Sequence, residues 1–248
     1  MYESQFFPDS RYPYQTASAV WIDPRLMRVT LVPGLSEPGG IWPQPAEVVP
    51  AQFASIAAAF NGGFKIQDSD GGFFLNGRIA VPLRLGAASL VLYADGALDI
   101  GTWGSEVTST PNVVAVLQNL VPLVDGGQVA ASATYYDDRV WGATLGGGAA
   151  VARSGIGVSS TGALIYVAGP ALSARTLGEA LRRAGAVRAM ELDMNPEWVT
   201  FNFFDHPSAA DPSNLLATKL YPQMVRPATR YLAPAMDSRD FLTVMLPS

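Results

Sequence analysis

Apolar residues along this chain come in short runs separated by turn-forming residues, a rhythm that predicts strands more often than helices. Ala19 to Ile22 and Arg28 to Val32 flank the turn pair Asp23-Pro24 and read as a hairpin or meander. Gly72 to Leu75 and Arg78 to Val81 enclose Asn76-Gly77, which supplies the two positive φ angles of a type I′ turn and makes this the strongest hairpin signal in the chain. Ser89 to Tyr93 turns at Ala94-Asp95-Gly96 into Ala97 to Ile100, and Gly155 to Val158 turns at Thr161-Gly162 into Leu164 to Val167. Val187 to Asp193 and Phe241 to Met245 read as further strands.

Helical signals are fewer. Pro50 opens a short helix over Ala51 to Ala58, at a position where its missing N–H costs nothing. Thr176 with Glu179 forms a capping box, Leu177, Ala180, Leu181 and Ala184 line one apolar face, and Gly185 suits the left-handed stop. A helix followed at once by an apolar strand is how a helix packs on a sheet, so the expected class is α+β, a mixed β-sheet with hairpins and a few packed helices. Neither a repeat nor a linker divides the chain, which predicts one domain over residues 1–248 with its core at about 17–204. Residues 205–248 read as an irregular C-terminal segment that ends in the last strand.

Composition narrows the function. At 248 residues and 49% hydrophobic the chain can bury a large core, while a charged fraction of 15% and a net charge of −5 without like-charge blocks argue against nucleic acid as partner. With no cysteine, disulfides, zinc–thiolate sites and cysteine nucleophiles are excluded together. The single histidine, His206, rules out multi-histidine metal sites, and neither a P-loop nor a strand-G-x-G-x-x-G-helix unit is present, so no nucleotide cofactor is expected. No apolar run reaches the roughly 20 residues of a transmembrane helix, and the first residues lack a signal peptide's pattern.

Chemistry concentrates at Glu191 and Asp193. Strict alternation along a strand puts both carboxylates on one face, about 7 Å apart, with Met190 and Leu192 on the other. Two carboxylates so placed suit glycoside hydrolysis, one as acid or base and one as nucleophile or charge stabiliser; a salt-bridged pair at a solvated sheet end is the plainer alternative. Asn61-Gly62-Gly63-Phe64-Lys65 follows an apolar run, its glycines letting backbone approach a ligand while Asn61 and Lys65 bring donors. Arg153, beside two thinning glycines at Gly155 and Gly157, carries a guanidinium suited to phosphate. Asp68-Ser69-Asp70-Gly71-Gly72 resembles part of an acidic calcium loop but has Ile79 where an EF-hand needs its final glutamate, so it reads as a polar turn; calcium is the one metal considered.

In this order the pieces resemble the phosphodiester glycosidase family, that of the enzyme domain which uncovers mannose 6-phosphate. Asn61 to Phe64 matches its Asn-Gly-Gly-Phe motif, Arg153 to Gly157 its Arg-Ser/Thr-x-x-Gly motif, and Leu192-Asp193 the end of its late apolar strand. Trp21 to Pro24, Gly86 to Leu90, Val124 to Gly127 and Met190 to Trp198 look like the actinobacterial branch. Where better-known members continue Asp-Gly-Gly-Gly-Ser, this chain reads Asp193-Met194-Asn195-Pro196-Glu197, so the glycine loop is replaced by bulkier residues. The resemblance implies hydrolysis of a sugar-1-phosphodiester or related glycosidic bond in envelope or extracellular glycans. Asp193 and Glu191 would be catalytic, with Arg153, Lys65, Asn61, Gly62, Gly63, Asn195 and Glu197 binding a carbohydrate or sugar-phosphate substrate. It also implies an extracytoplasmic or secreted protein whose leader or anchor is absent from this sequence. Two further readings remain, a non-catalytic glycan-binding module and an exopolysaccharide-assembly protein.

Overall fold

The computed structural model of the protein describes residues 1–135, 137–144, 146–206, 214–233 and 235–247. Among them the chain builds three sheets in which every strand pair is antiparallel. The expected α+β arrangement with packed helices is therefore corrected to a sheet-dominated fold. Four pairs of chain-neighbouring strands close through tight turns, among them Phe73–Leu75 with Arg78–Val81 and Val151–Ser159 with Leu164–Leu172, and antiparallel pairs made in this way need no helical crossovers.

The largest sheet has seven strands in the order Tyr2–Phe6, Ala17–Ile22, Leu164–Leu172, Val151–Ser159, Ala186–Met194, Val124–Asp125 and Gln128–Val129. A five-stranded sheet runs Leu216–Lys219, Phe201–Asp205, Ile56–Asn61, Phe241–Met245 and Arg28–Val32. The other runs Arg78–Val81, Phe73–Leu75, Val113–Gln118, Ala88–Tyr93 and Leu98–Thr102. Asn76 and Gly77 take φ of 48° and 83°, as the hairpin signal requires.

All three sheets feed one apolar cluster, to which Tyr166, Met190 and Leu192 come from the first, Phe60, Phe201 and Leu242 from the second, and Phe73 and Leu90 from the third. Phe60 and Phe201 stack with centroids 5.4 Å apart. Each such side chain contributes about 1.5–3 kcal/mol through burial. Alternation along Leu164–Leu172 gives the large sheet a second apolar face, so that Tyr166 enters the central cluster while Ile165 and Val167 meet Leu177, Ala180 and Leu181 of the helix Ala174–Arg183.

Local readings needed correction in four places. The helix expected over Ala51 to Ala58 shrinks to a 3₁₀ turn at Pro50–Gln52, and Ile56–Asn61 is a strand buried along its whole length between two partners. A wholly apolar run buried on both faces suits a central strand, and tertiary burial outweighs the proline start signal. The later helix is capped by Ser173, which shares a reciprocal box with Thr176, one turn earlier than Thr176 and Glu179 would place it. The N-terminal Tyr2–Phe6 joins a sheet, and the segment expected to be irregular contains the strand Leu216–Lys219; its residues 207–213, 234 and 248 lie outside the described residues. The Asp68 to Gly72 stretch folds as a one-turn helix, Ile66–Ser69, followed by Asp70 in the left-handed region, with Arg84 against Asp70. Among the described residues no group of three or more His, Cys, Asp or Glu is arranged to hold a metal ion, and no helix is long and apolar enough to cross a membrane.

Candidate functional site

The candidate site forms where Ala186–Met194 leaves the large sheet. Against Val151–Ser159, the register steps from Gly155 opposite Glu191 to Arg153 opposite Met194, so one additional residue lies on the Asp193 strand. A bulge of this kind re-aims side chains. Its effect is visible in Met194, which strict alternation would send to the central cluster with Met190 and Leu192 but which packs in the second cluster instead. Ser154 fixes the bulge, its hydroxyl donating to the Asp193 carbonyl (3.2 Å) and accepting from the Asp193 N–H (3.3 Å). Asn195 then holds φ at 72°, in the left-handed region that asparagine tolerates better than most residues, and turns the chain out of the sheet.

The bulge separates the two carboxylates of the sequence motif. Glu191 is wholly buried and forms an ion pair with the equally buried Arg153. Arg153 also donates to the carbonyls of Leu172 (3.1 Å) and Trp141 (3.0 Å), tying two further segments to the strand. Burial pushes the Glu191 carboxyl above its ordinary range while Arg153 pulls it down. Neither residue lines the cavities described next.

Asp193 lies on the wall shared by two of them. On one side is a small cavity of about 30 Å³ bordered by Asn61, Gly62, Gly63, Glu197, Trp198, Arg239 and Asp240. On the other is a wide cleft of about 430 Å³ bordered by Lys65, Asn195, Trp198, Arg239, Asp68 and Asp138. The carboxylate accepts from the Met194 N–H (2.8 Å) and pairs with the Arg239 guanidinium, which stacks over Trp198 at 4.0 Å. Desolvation nevertheless raises its pKa to about 8, opposed chiefly by Arg239 and reinforced by the charge of Asp240. Burial likewise lifts Asp240 to about 7, again against the pull of Arg239. The site thus holds two buried carboxylates whose proton affinities reach the neutral range, with one guanidinium beside them.

The Gly-Gly pair is explained by Asp240. A Cβ on Gly62 would overlap the Asp240 carboxylate and sit 2.6 Å from its carbonyl oxygen. The bare backbone instead donates from Gly62 N–H to that carbonyl (3.0 Å) and from Gly63 N–H to Oδ2 (3.3 Å). Asn61 is buried in a network, its Oδ1 accepting from Tyr166 Oη (3.1 Å) and the Thr200 N–H (3.1 Å) while its Nδ2 donates to Ser154 (3.0 Å). Lys65 and Glu197 are exposed, at the cleft and at the small cavity respectively. The structure therefore gathers Asp193, Asn61, Gly62, Gly63, Lys65, Asn195 and Glu197 around adjoining spaces and places Glu191 and Arg153 behind them.

Sequence reading passed over Arg239, Asp240 and Asn119. Asn119, fully buried, accepts from the Phe64 N–H (3.1 Å) and donates to the carbonyls of Glu191 and Leu192 (both 2.8 Å), locking the glycine motif to the carboxylate strand. The available signal was charge beside an apolar strand, since Arg239-Asp240 abuts Phe241–Met245 much as Asp193 closes its own run.

Sequence comparison matches no protein family and no curated protein. Comparison of structures does find relatives. The fold is shared with a glycosidase catalytic domain. The zebrafish N-acetylglucosamine-1-phosphodiester alpha-N-acetylglucosaminidase catalytic domain, in a form auto-inhibited by its pro-peptide, superposes with a TM-score of 0.59 over 100% of this chain and 83% of its own, at 16% identity. A hypothetical protein from Synechocystis gives 0.50 over 94% of this chain and 59% of its own, at 14% identity. At these identities the relationship is one of fold, distant in sequence.

Proposed function

We propose that this protein is a glycan-processing hydrolase that cleaves a sugar-1-phosphodiester or a related glycosidic bond. The observation that carries this reading is Asp193, buried between two cavities beside Asp240, both with proton affinity raised into the neutral range. Two coupled carboxylates near neutral pH share protons, so one member is available as acid while the other carries charge. Glycoside hydrolysis uses that division, the ionised carboxylate stabilising an oxocarbenium-like centre or attacking it and the protonated one assisting the leaving oxygen. The likeness in fold to a phosphodiester glycosidase domain supports the substrate class.

In this scheme Asp193 and Asp240 carry the chemistry, and Arg239 with Lys65 offers positive charge to a phosphate entering the wide cleft. A phosphate leaving group departs readily, so gripping it contributes more than protonating it. Asn195 borders the wide cleft where the sugar would lie, Asn61 is committed to Ser154, Tyr166 and Thr200 and shapes the wall of the smaller cavity, and Glu197 edges that cavity. Arg153 and Glu191 act through position, holding the bulged strand so that Asp193 faces the cleft. The reading carries with it an extracytoplasmic or secreted setting, where such glycans occur.

Release of free sugar from a panel of sugar-1-phosphodiesters and wall glycans tests the proposal, comparing the wild type with Asp193→Asn and Asp240→Asn. Turnover by the wild type and its loss in both folded variants is the expected result. A fully active Asp193→Asn would remove the assignment.

A further inference from the structure

A second pocket, of about 360 Å³, lies outside the cleft of Asp193 and is bordered by the first turn of the helix Ala174–Arg183. The short helix Asp138–Trp141 and its continuation stand between the two spaces, with Trp141 on the pocket side and Gly142 and Ala143 on the cleft side. Trp141 is fully buried, and its indole N–H finds no acceptor among the described residues. Gln15 borders the same pocket, and its Oε1 is buried without a donor. An orphaned donor and an orphaned acceptor in one pocket are uncommon, because a buried polar group left without a partner loses its hydration with nothing in return. A hydroxyl satisfies either role, and a ring bearing several hydroxyls satisfies both at once.

The remaining walls add charge and flat apolar surface. Arg175, in the helix's first turn, makes no ion pair among the described residues, whereas its neighbour Arg11 is engaged by Asp9. The first N–H groups of a helix add positive potential at the same end. Tyr12 and Tyr135 border the pocket and expose 52% and 79% of their surfaces; Arg11 lies over one face of the Tyr12 ring, 5.9 Å from its centroid, while Tyr135 has no ring or cation partner among the described residues.

We infer that this pocket binds a sugar ring that carries an anionic group. The ring's hydroxyls meet Trp141 and Gln15, its faces meet the tyrosines, and its anion meets Arg175 at the helix start. The site is separate from the hydrolytic centre proposed above, and its occupancy can be tested without any turnover.

Indole N–H signals of the ¹⁵N-labelled protein provide the readout, one for each of the five tryptophans, with Trp141 assigned through Trp141→Phe. Glucuronate and glucose 6-phosphate are titrated against neutral glucose and inorganic phosphate. Both anionic sugars are expected to move the Trp141 signal saturably, and glucose and phosphate to bind about tenfold more weakly. Arg175→Ala should abolish the preference for the anionic sugars, Gln15→Ala should weaken every sugar, and Asp193→Asn should change nothing. The inference is overturned if the Trp198 signal moves and that of Trp141 does not, if phosphate alone matches glucose 6-phosphate, or if a folded Arg175→Ala variant binds as the wild type does.

Discussion

The balance of forces at Asp193 can be read from stability against pH. The carboxylate rises from 3.8 to about 8 on folding, so between those values the native state holds a proton that the unfolded chain has released. Stability from this group is therefore fully present below about pH 4 and is lost as pH climbs through the folded value. At roughly 1.4 kcal/mol per unit the ceiling is on the order of 6 kcal/mol. Asp240 titrates over an overlapping interval and shares the effect, which leaves about 2–3 kcal/mol for Asp193 itself. Asp193→Asn keeps the shape of the protonated acid and cannot ionise, so the variant should match the wild type near pH 4 and gain on it steadily towards pH 8. For a chain of this length the gain corresponds to roughly 5–10 °C in Tm. Thermal unfolding of both proteins at several pH values in one buffer series measures it. A difference that moves the opposite way, with the variant losing ground as pH rises, would mean that the Arg239 pair outweighs desolvation, and the reasoning would fail.

Gly62→Ala should destabilise by about 2–3 kcal/mol, because the added methyl displaces Asp240, and the denaturant midpoint reports it. Arg153→Leu leaves Glu191 buried without its partner and should cost about 3–5 kcal/mol, whereas the double variant Arg153→Leu/Glu191→Leu should recover much of that loss; equal losses in both would contradict the buried-pair argument. Arg239→Gln withdraws the cation beside Asp193 and Asp240, so both should take up protons at higher pH, and the alkaline limb of carboxylate titration followed by NMR should move upward; a downward move would refute it.

Much of the sheet framework could be read from the chain because its signals are local. Asn76-Gly77 dictates a turn whatever surrounds it, and the helix near Leu177 follows from its apolar stripe and its stop. Ile56 to Phe60 was misread in part because a fully apolar run carries no period, and only its two flanking strands decide the outcome. The site shows the same division. Asp193, Asn61 and the glycines stand out by type and spacing, but the bulge that parts Asp193 from Glu191 arises from pairing with another strand and leaves no mark in the run itself. Asp240 was invisible for a related reason, since its importance lies in the fit against Gly62, far away in sequence.

The strand Phe241–Met245 lies between Ile56–Asn61 and Arg28–Val32, so a segment that follows the other described strands in the chain fills an interior position of a sheet. As the chain emerges, Asp193 and the two glycines are in hand long before the aspartate that closes their cavity. The proposed hydrolytic centre is in this sense a report on a finished fold. A partly made chain holds most of the chemistry and none of the enclosure, and the closing step waits on contacts of long sequence separation.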